Sequence, residues 1–188
     1  NVDLNQDSSD FGGTALYVSC RRGTSIICGI LLRQDGIEVN KAADDGATPL
    51  YAACNQGQTE VVKMLLAHDG IEANKGTTAI RATPLYTACN QGHSEVVKML
   101  LAHDGVEANE ARTDGGGTPL YAACHHGHSE VVKTLLAHDG IEVNKARTDD
   151  GATPLVIACH HSHSEVVKML LECDGLEVNK AWTDSGAT

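Results

Sequence analysis

Thr-Pro-Leu recurs at Thr48, Thr83, Thr118 and Thr153, a strict spacing of 35 residues, and Thr14-Ala15-Leu16 opens a further copy 34 residues before the first of these. A fixed period of this length implies modules stacked along one axis, each touching only its neighbours. Every unit reads T-P-L-Y-x-A-C, two polar residues, Gly, a short polar turn, E-V-V-K-x-L-L, then D-G-I-E-x-N and a polar connector.

Two helices and a connector fit one unit. Thr48 can cap the free N–H groups of a first helix about two turns long, Pro49 suits its first turn, and Gly57 lies where a left-handed stop is needed. A second helix, with Thr59, Ser94, Ser129 or Ser164 as its expected cap, sets Val61, Val62, Leu65 and Leu66 on one stripe and leaves Glu60 and Lys63 wet. Gly70, Gly105, Gly140 and Gly175 are expected to end it, and Ile71-Glu72-Ala73-Asn74 to return the chain in extended form. Neither helix can bury its stripe alone in water, so adjacent copies must stack.

The residues T-P-L-Y-A-A-C-x-x-G-H-S-E-V-V-K-x-L-L and the following I-E-V-N resemble the ankyrin repeat family through nearly the whole chain. A tetratricopeptide array, the nearest rival by period, expects neither the Thr-Pro-Leu start nor this return. The resemblance implies an all-α solenoid of stacked antiparallel helix pairs with hairpin-like connectors, in repeats at approximately 14–47, 48–82, 83–117, 118–152 and 153–187. Residues 1–13 read as the remnant of a preceding repeat, and the whole as a fragment of a longer array.

The sequence departs from the family pattern in places. Tyr51, Tyr86, Tyr121 and Val156 stand where the family has His, and each unit carries one extra residue near His-Asp-Gly and one in the connector. Arg81 replaces the connector glycine seen at Gly46, Gly116 and Gly151, so the turn at 75–82 is expected to distort. The first copy lacks Pro after Thr14 and carries Arg21-Arg22, so its first helix is expected to fray.

Composition limits the function. Fourteen Lys and Arg against 25 Asp and Glu give a net charge of -11, which repels phosphate backbones and argues against nucleic acid. The longest apolar run, Ile26 to Leu32, is far short of the ~18 residues of a membrane span. Seven cysteines without framework spacing, no signal-like segment and no Asn-x-Ser/Thr acceptor favour a reducing, cytoplasmic setting.

Cys20, Cys54, Cys89, Cys124 and Cys159 recur once per copy, as packing residues do and nucleophiles do not. Neighbours in this row are expected to stand too far apart to bridge; Cys28, in place of a second-helix Val, and Cys173 are also read as structural. No phosphate loop, Ser-His-Asp set or Cys-His pair with an orienting carboxylate is present, and the expected chain is not an enzyme and needs no cofactor.

Recognition is expected where the copies differ. The last two residues of the first helix read Arg21-Arg22, Asn55-Gln56, Asn90-Gln91, His125-His126 and His160-His161 against a nearly constant background. Connector positions Thr77, Arg112, Arg147 and Trp182 form a second row, with Arg and Trp suited to anchoring a partner. Tyr51, Tyr86 and Tyr121 form a third row, read as half-buried packing. By resemblance, the function is protein recognition by a monomeric fragment through Asn55, Gln56, Asn90, Gln91, His125, His126, His160, His161, Arg112, Arg147 and Trp182.

Two alternatives stay open. The six imidazoles of His125-His126-Gly127-His128 and His160-His161-Ser162-His163 suit zinc, copper or nickel, although His93, His128 and His163 also match the family's Gly-His turn. Asn74, Asn109, Asn144 and Asn179 occupy returns similar to those an asparaginyl hydroxylase modifies in some ankyrin proteins. The ten histidines would also move the net charge from -11 to about -1 on full protonation, which makes partner binding a candidate for pH control.

Overall fold

The structure, a computed structural model, describes residues 3–7 and 12–179. Its helices come in five pairs: α1 (Ala15–Arg22) with α2 (Ser25–Leu31), α3 (Pro49–Asn55) with α4 (Thr59–Leu66), α5 (Pro84–Gln91) with α6 (Ser94–Leu101), α7 (Pro119–His126) with α8 (Ser129–Leu136), and α9 (Pro154–His160) with α10 (Ser164–Leu171). First helices pack in the order α1, α3, α5, α7, α9 and second helices in the order α2, α4, α6, α8, α10. The architecture is a linear all-α stack of antiparallel pairs, and no strand occurs among the described residues.

Each first helix starts as the sequence dictates. Thr14, Thr48, Thr83 and Thr118 are extended and buried, and each Oγ1 accepts from the N–H three residues on, at 3.1 Å. Thr153 does the same for Val156 at 3.3 Å. Pro at the first helical position forfeits no bond, because that N–H has no partner inside the helix. In the first copy the first helix is formed over its full length. Thr14 caps α1 without the Pro, and Arg21 and Arg22 lie in its last turn, where positive charge complements the helix dipole.

The second helices are capped differently from expectation. Their caps are Gln58, His93, His128 and His163, one residue earlier than Thr59, Ser94, Ser129 and Ser164, and no cap side chain bonds to the helix. Thr59 instead donates to the Gly57 carbonyl at 3.4 Å. The histidine rings are committed elsewhere, as described below. These helices end at Ala67, Ala102, Ala137 and Glu172, and the glycines expected to stop them fall later, in the following turn, with Gly70 at φ +79°.

The core is the predicted stripe. Val61, Val62 and Leu65 of α4 are buried with Leu50, Ala53 and Cys54 of α3, and the same set recurs in the next two pairs. Leu66 is only half-buried, while Glu60 and Lys63 are exposed. Burying one such Leu is worth roughly 2 kcal/mol, and Ala and Cys between the leucines let the helices approach. Cys20, Cys54, Cys89 and Cys124 are buried along the stack, but Cys159 is exposed, against expectation, because no further helix pair covers α9 among the described residues.

The return after each second helix is not extended throughout: Lys75 N bonds Glu72 O at 3.1 Å, so Ala73 and Asn74 form a turn. The connectors are hairpin-like. Thr77 N bonds Ala82 O and Arg81 N bonds Thr77 O, the same closure that Arg112 makes with Gly117 and Gly116. The expected distortion at Arg81 does not occur; Arg81 enters the left-handed region at φ +50°, where Gly46, Gly116 and Gly151 also lie. Adjacent tips are joined by Thr78 N to Asp45 O, Thr113 N to Ile80 O and Thr148 N to Gly115 O, at 2.9 to 3.0 Å.

Candidate functional site

The variable pairs lie along one edge of the first helices, and their second members Arg22, Gln56, Gln91, His126 and His161 are all exposed. The structure brings them together across each junction. Gln91 Nε2 donates to Asn55 Oδ1 at 3.3 Å, and Thr87 Oγ1 donates to the same oxygen at 2.8 Å. His126 Nε2 lies 3.1 Å from Asn90 Oδ1, and the His125 and His161 rings meet edge to face with centroids 4.5 Å apart. The first members Asn55, Asn90 and His125 therefore partly serve the neighbouring repeat, a role that repeat-to-repeat variation alone does not reveal.

The family-turn histidines are structural. His93, His128 and His163 place Nε2 at 3.2, 3.1 and 3.0 Å from the carbonyl oxygens of Asn55, Asn90 and His125. A carbonyl only accepts, so Nε2 carries the proton in each ring. The preceding repeat's glycine makes room: a Cβ on Gly57 would stand 2.6 Å from His93 Nδ1, and Gly57 also has φ +68°.

The Arg112 and Arg147 side chains do not project freely from the tips. Each side chain is only 27% exposed and folds back over a tyrosine. The Arg112 guanidinium lies 5.2 Å from the Tyr86 ring centre and donates to Tyr86 Oη at 3.1 Å; Arg147 lies 5.4 Å from Tyr121 and donates to its Oη at 3.3 Å. Asp114 pairs with Arg112, and Asp149 and Asp150 with Arg147. Tyr86 and Tyr121 are buried and Tyr51 is half-buried. Tyr17 belongs to the same row, signalled by its place three residues after Thr14. Thr77, at the Arg112 position, buries its Oγ1 without a partner. Trp182 lies outside the described residues.

Between α5 and α7 these side chains enclose a cleft of about 260 Å³, walled by Tyr86, Tyr121, Arg112, Arg147, His125 and His126. Burial holds His125 below the usual imidazole range, reinforced by His126, His161, His163 and Arg147. His126 is lowered by burial and then by His128, His161 and His163. Both rings are thus neutral hydrogen-bonding groups near pH 7. A second, shallower groove of about 430 Å³ lies between α1 and α3, lined by Tyr17, Arg21, Asp44, Asp45, Tyr51 and Asn55 among others.

The histidine rings meet edge to face or in stacks rather than pointing at a common centre. Among the described residues, no three His, Cys, Asp or Glu side chains are placed to hold a metal ion. Asn74, Asn109 and Asn144 are half-buried and bonded at both ends of the amide: Asn74 Nδ2 donates to Gly105 O at 2.7 Å and Oδ1 accepts from Glu107 N at 3.0 Å, and the other two repeat this. Asn5 and Asn40 make the same bridge. No helix among the described residues is long and apolar enough to cross a membrane.

No curated protein matches the chain significantly. The family described as ankyrin repeats (3 copies) matches at residues 1–77, 73–147 and 107–181. Those three matches span almost all of the sequence and coincide with a linear stack of capped helix pairs joined by hairpin-like tips, so the chain belongs to the ankyrin repeat family.

Proposed function

We propose that this chain is a non-enzymatic scaffold that binds a protein partner along the groove between its first helices and connector tips, centred on the α5–α7 junction. Ankyrin repeats are in general protein–protein interaction modules. The carrying observation is the cleft of about 260 Å³ where Tyr86 and Tyr121, each topped by an arginine, meet His125 and His126. It is smaller than the ~300–1,000 Å³ typical of small-molecule sites and suits a few protruding side chains.

The wall chemistry indicates the kind of surface received. Two guanidiniums, each already paired with carboxylate, alternate with neutral imidazoles and tyrosine edges, so the groove offers donors and acceptors in close succession. A polar peptide segment or loop fits this better than an apolar helix face. Because the arginines and asparagines are pinned before any partner arrives, little side-chain entropy is lost on binding.

The test is affinity capture with the full chain and with a variant carrying His125→Ala, His126→Ala, His160→Ala and His161→Ala together, followed by calorimetry on the captured protein. The expected outcome is a partner held by the parent chain and weakened at least about tenfold by the variant. Equal affinity, with the variant's helical content unchanged, removes the reading.

A further inference from the structure

The first repeat is the one in which two cysteines meet. Cys20 holds the place of Cys54, Cys89 and Cys124, and Cys28 stands where the later repeats have Val62, Val97 and Val132. Packing of α1 on α2 sets Cys28 Sγ 3.7 Å from Cys20 Sγ, with both residues fully buried. The Cys28 thiol also donates to Ser19 Oγ at 3.3 Å, and that hydroxyl donates to Leu16 O at 2.9 Å. A disulfide needs a separation of about 2.05 Å, so closure requires a small side-chain rotation and helix adjustment, not refolding.

Access comes from the weakness of α2. It is seven residues long, Thr24 gives it no side-chain cap, and Gly29 sits in its interior, which costs helix stability. Ile26 is 80% exposed and Ile27 and Ile30 are about half exposed, so its outer side is held by little packing. Local opening is easiest in such an element, and it uncovers both sulfurs to a small solute.

We propose that Cys20 and Cys28 form an oxidation site, a dithiol that hydrogen peroxide converts to an intramolecular disulfide tying α1 to α2. Cys28 lies on α2, the helix that opens, and the neighbouring Cys20 thiol holds it below the usual thiol range by hydrogen bonding to its thiolate, so Cys28 is the sulfur that meets peroxide first. Its thiolate attacks one peroxide oxygen, breaking the O–O bond and forming a sulfenic acid, and the departing hydroxide takes a proton to become water. The Cys20 sulfur then attacks the sulfenic sulfur, the S–O bond breaks, and the hydroxyl leaves with the Cys20 proton as a second water. Two thiols are oxidised and one peroxide is reduced to two waters.

The product bridges residues eight apart and fixes α1, which carries Arg21 and Arg22 in its last turn. Oxidation would tie α2 covalently to α1, whatever partner the groove receives.

The experiment uses the full chain carrying Cys159→Ser and Cys173→Ser, which removes the more accessible thiols. After hydrogen peroxide, denaturing alkylation and a non-reducing peptide map, the expected result is one linkage joining Cys20 to Cys28. The mass falls by two hydrogens, and dithiothreitol restores two alkylatable thiols. Tryptic cleavage after Arg21 and Arg22 should slow at least about tenfold. Cys28→Val, the residue the other repeats use, should keep the same circular dichroism and lose both the linkage and the protease response. The proposal is overturned if both thiols remain alkylatable after peroxide treatment, if the bonds are scattered among Cys54, Cys89 and Cys124, or if the Cys28→Val chain gains the same protection.

Discussion

His93 Nε2 stands 3.2 Å from the backbone carbonyl of Asn55, thirty-eight residues earlier, and closes the end of the preceding first helix across the repeat junction. The last carbonyls of a helix have no partner within it, so this ring supplies a bond that the helix cannot. His93→Ala leaves the carbonyl half-buried and unpaired, and should cost about 1 to 2 kcal/mol. Urea unfolding followed by circular dichroism checks this, and a cost below a few tenths would mean the ring only fills space. Nitrogen-15 shifts should show the proton on Nε2.

Asn109 makes a second kind of junction. Its amide donates to Gly140 O at 2.8 Å and accepts from Glu142 N at 3.0 Å, filling both roles of a missing peptide unit. Asn109→Ala should lose about 1 to 2 kcal/mol in urea unfolding. Asn109→Asp keeps the acceptor but turns a negative charge toward the Gly140 carbonyl, and should be no less costly. The same bonds hold the amide in place in the folded chain, so an enzyme acting on this side chain would need the turn opened first.

Local features of this fold were legible in the sequence because they act over three or four residues. Thr48 bonds to the N–H of Tyr51, and a period of 35 shows where every copy repeats that cap. The junction contacts were not legible, since His93 and Asn55, or Tyr86 and Arg112, meet only once the register of one pair on the next is known. Arg112 therefore read as an anchor for a partner, with no sign of the bonds that Tyr86 and Asp114 make to it. Cys28 read as a substitute for valine, which its burial supports, but its contact with Cys20 depends on how α2 faces α1.

Ser162 is the fifth member of a row whose other members are Gly23, Gly57, Gly92 and Gly127, and it keeps their left-handed backbone at φ +60°. A side chain in that region is strained by roughly 1 kcal/mol or more, part of which glycine gives back through the freedom of its unfolded chain. Ser162→Gly should stabilise the protein by about 0.5 to 1 kcal/mol, seen as a higher melting temperature. A fall in melting temperature would mean that the Ser162 side chain contributes more than its backbone costs. Arg81→Gly, at φ +50°, should gain similarly, since the ion pair it gives up with Glu110 at 3.4 Å is exposed on the arginine side.

His125 and His126 make stability depend on pH. Both are held below the usual range by burial and then by the neighbouring imidazoles, with Arg147 adding to the effect at His125, so the folded chain binds fewer protons than the unfolded one. The stability they contribute is complete above the unfolded value of about 6.5 and is lost progressively as pH falls below it. The share of the melting temperature that these two residues supply should be constant from pH 8 to about 7 and fall toward pH 5. His125→Gln with His126→Gln should make that fall shallower, and parallel curves for the two proteins would rule these residues out as its source.

Gly117 forms part of the cleft floor, where Ala47, Ala82 and Ala152 stand in other repeats. A Cβ there would meet Tyr121 at 3.6 Å and Tyr86 at 3.9 Å, ordinary contact distances, and its backbone needs no positive φ. Gly117→Ala should therefore stabilise the fold by about 0.4 to 1 kcal/mol while taking a methyl group's volume from the cleft. If a partner's side chain reaches the floor between Tyr86 and Tyr121, the firmer protein should bind it more weakly, and Gly117→Val should deepen that loss. Opposite signs in melting temperature and affinity separate occupation of the cleft from a general loss of structure. If affinity does not change in either variant, the partner does not reach the floor, and the contact must lie at the exposed rim formed by Gln91, His126 and His161.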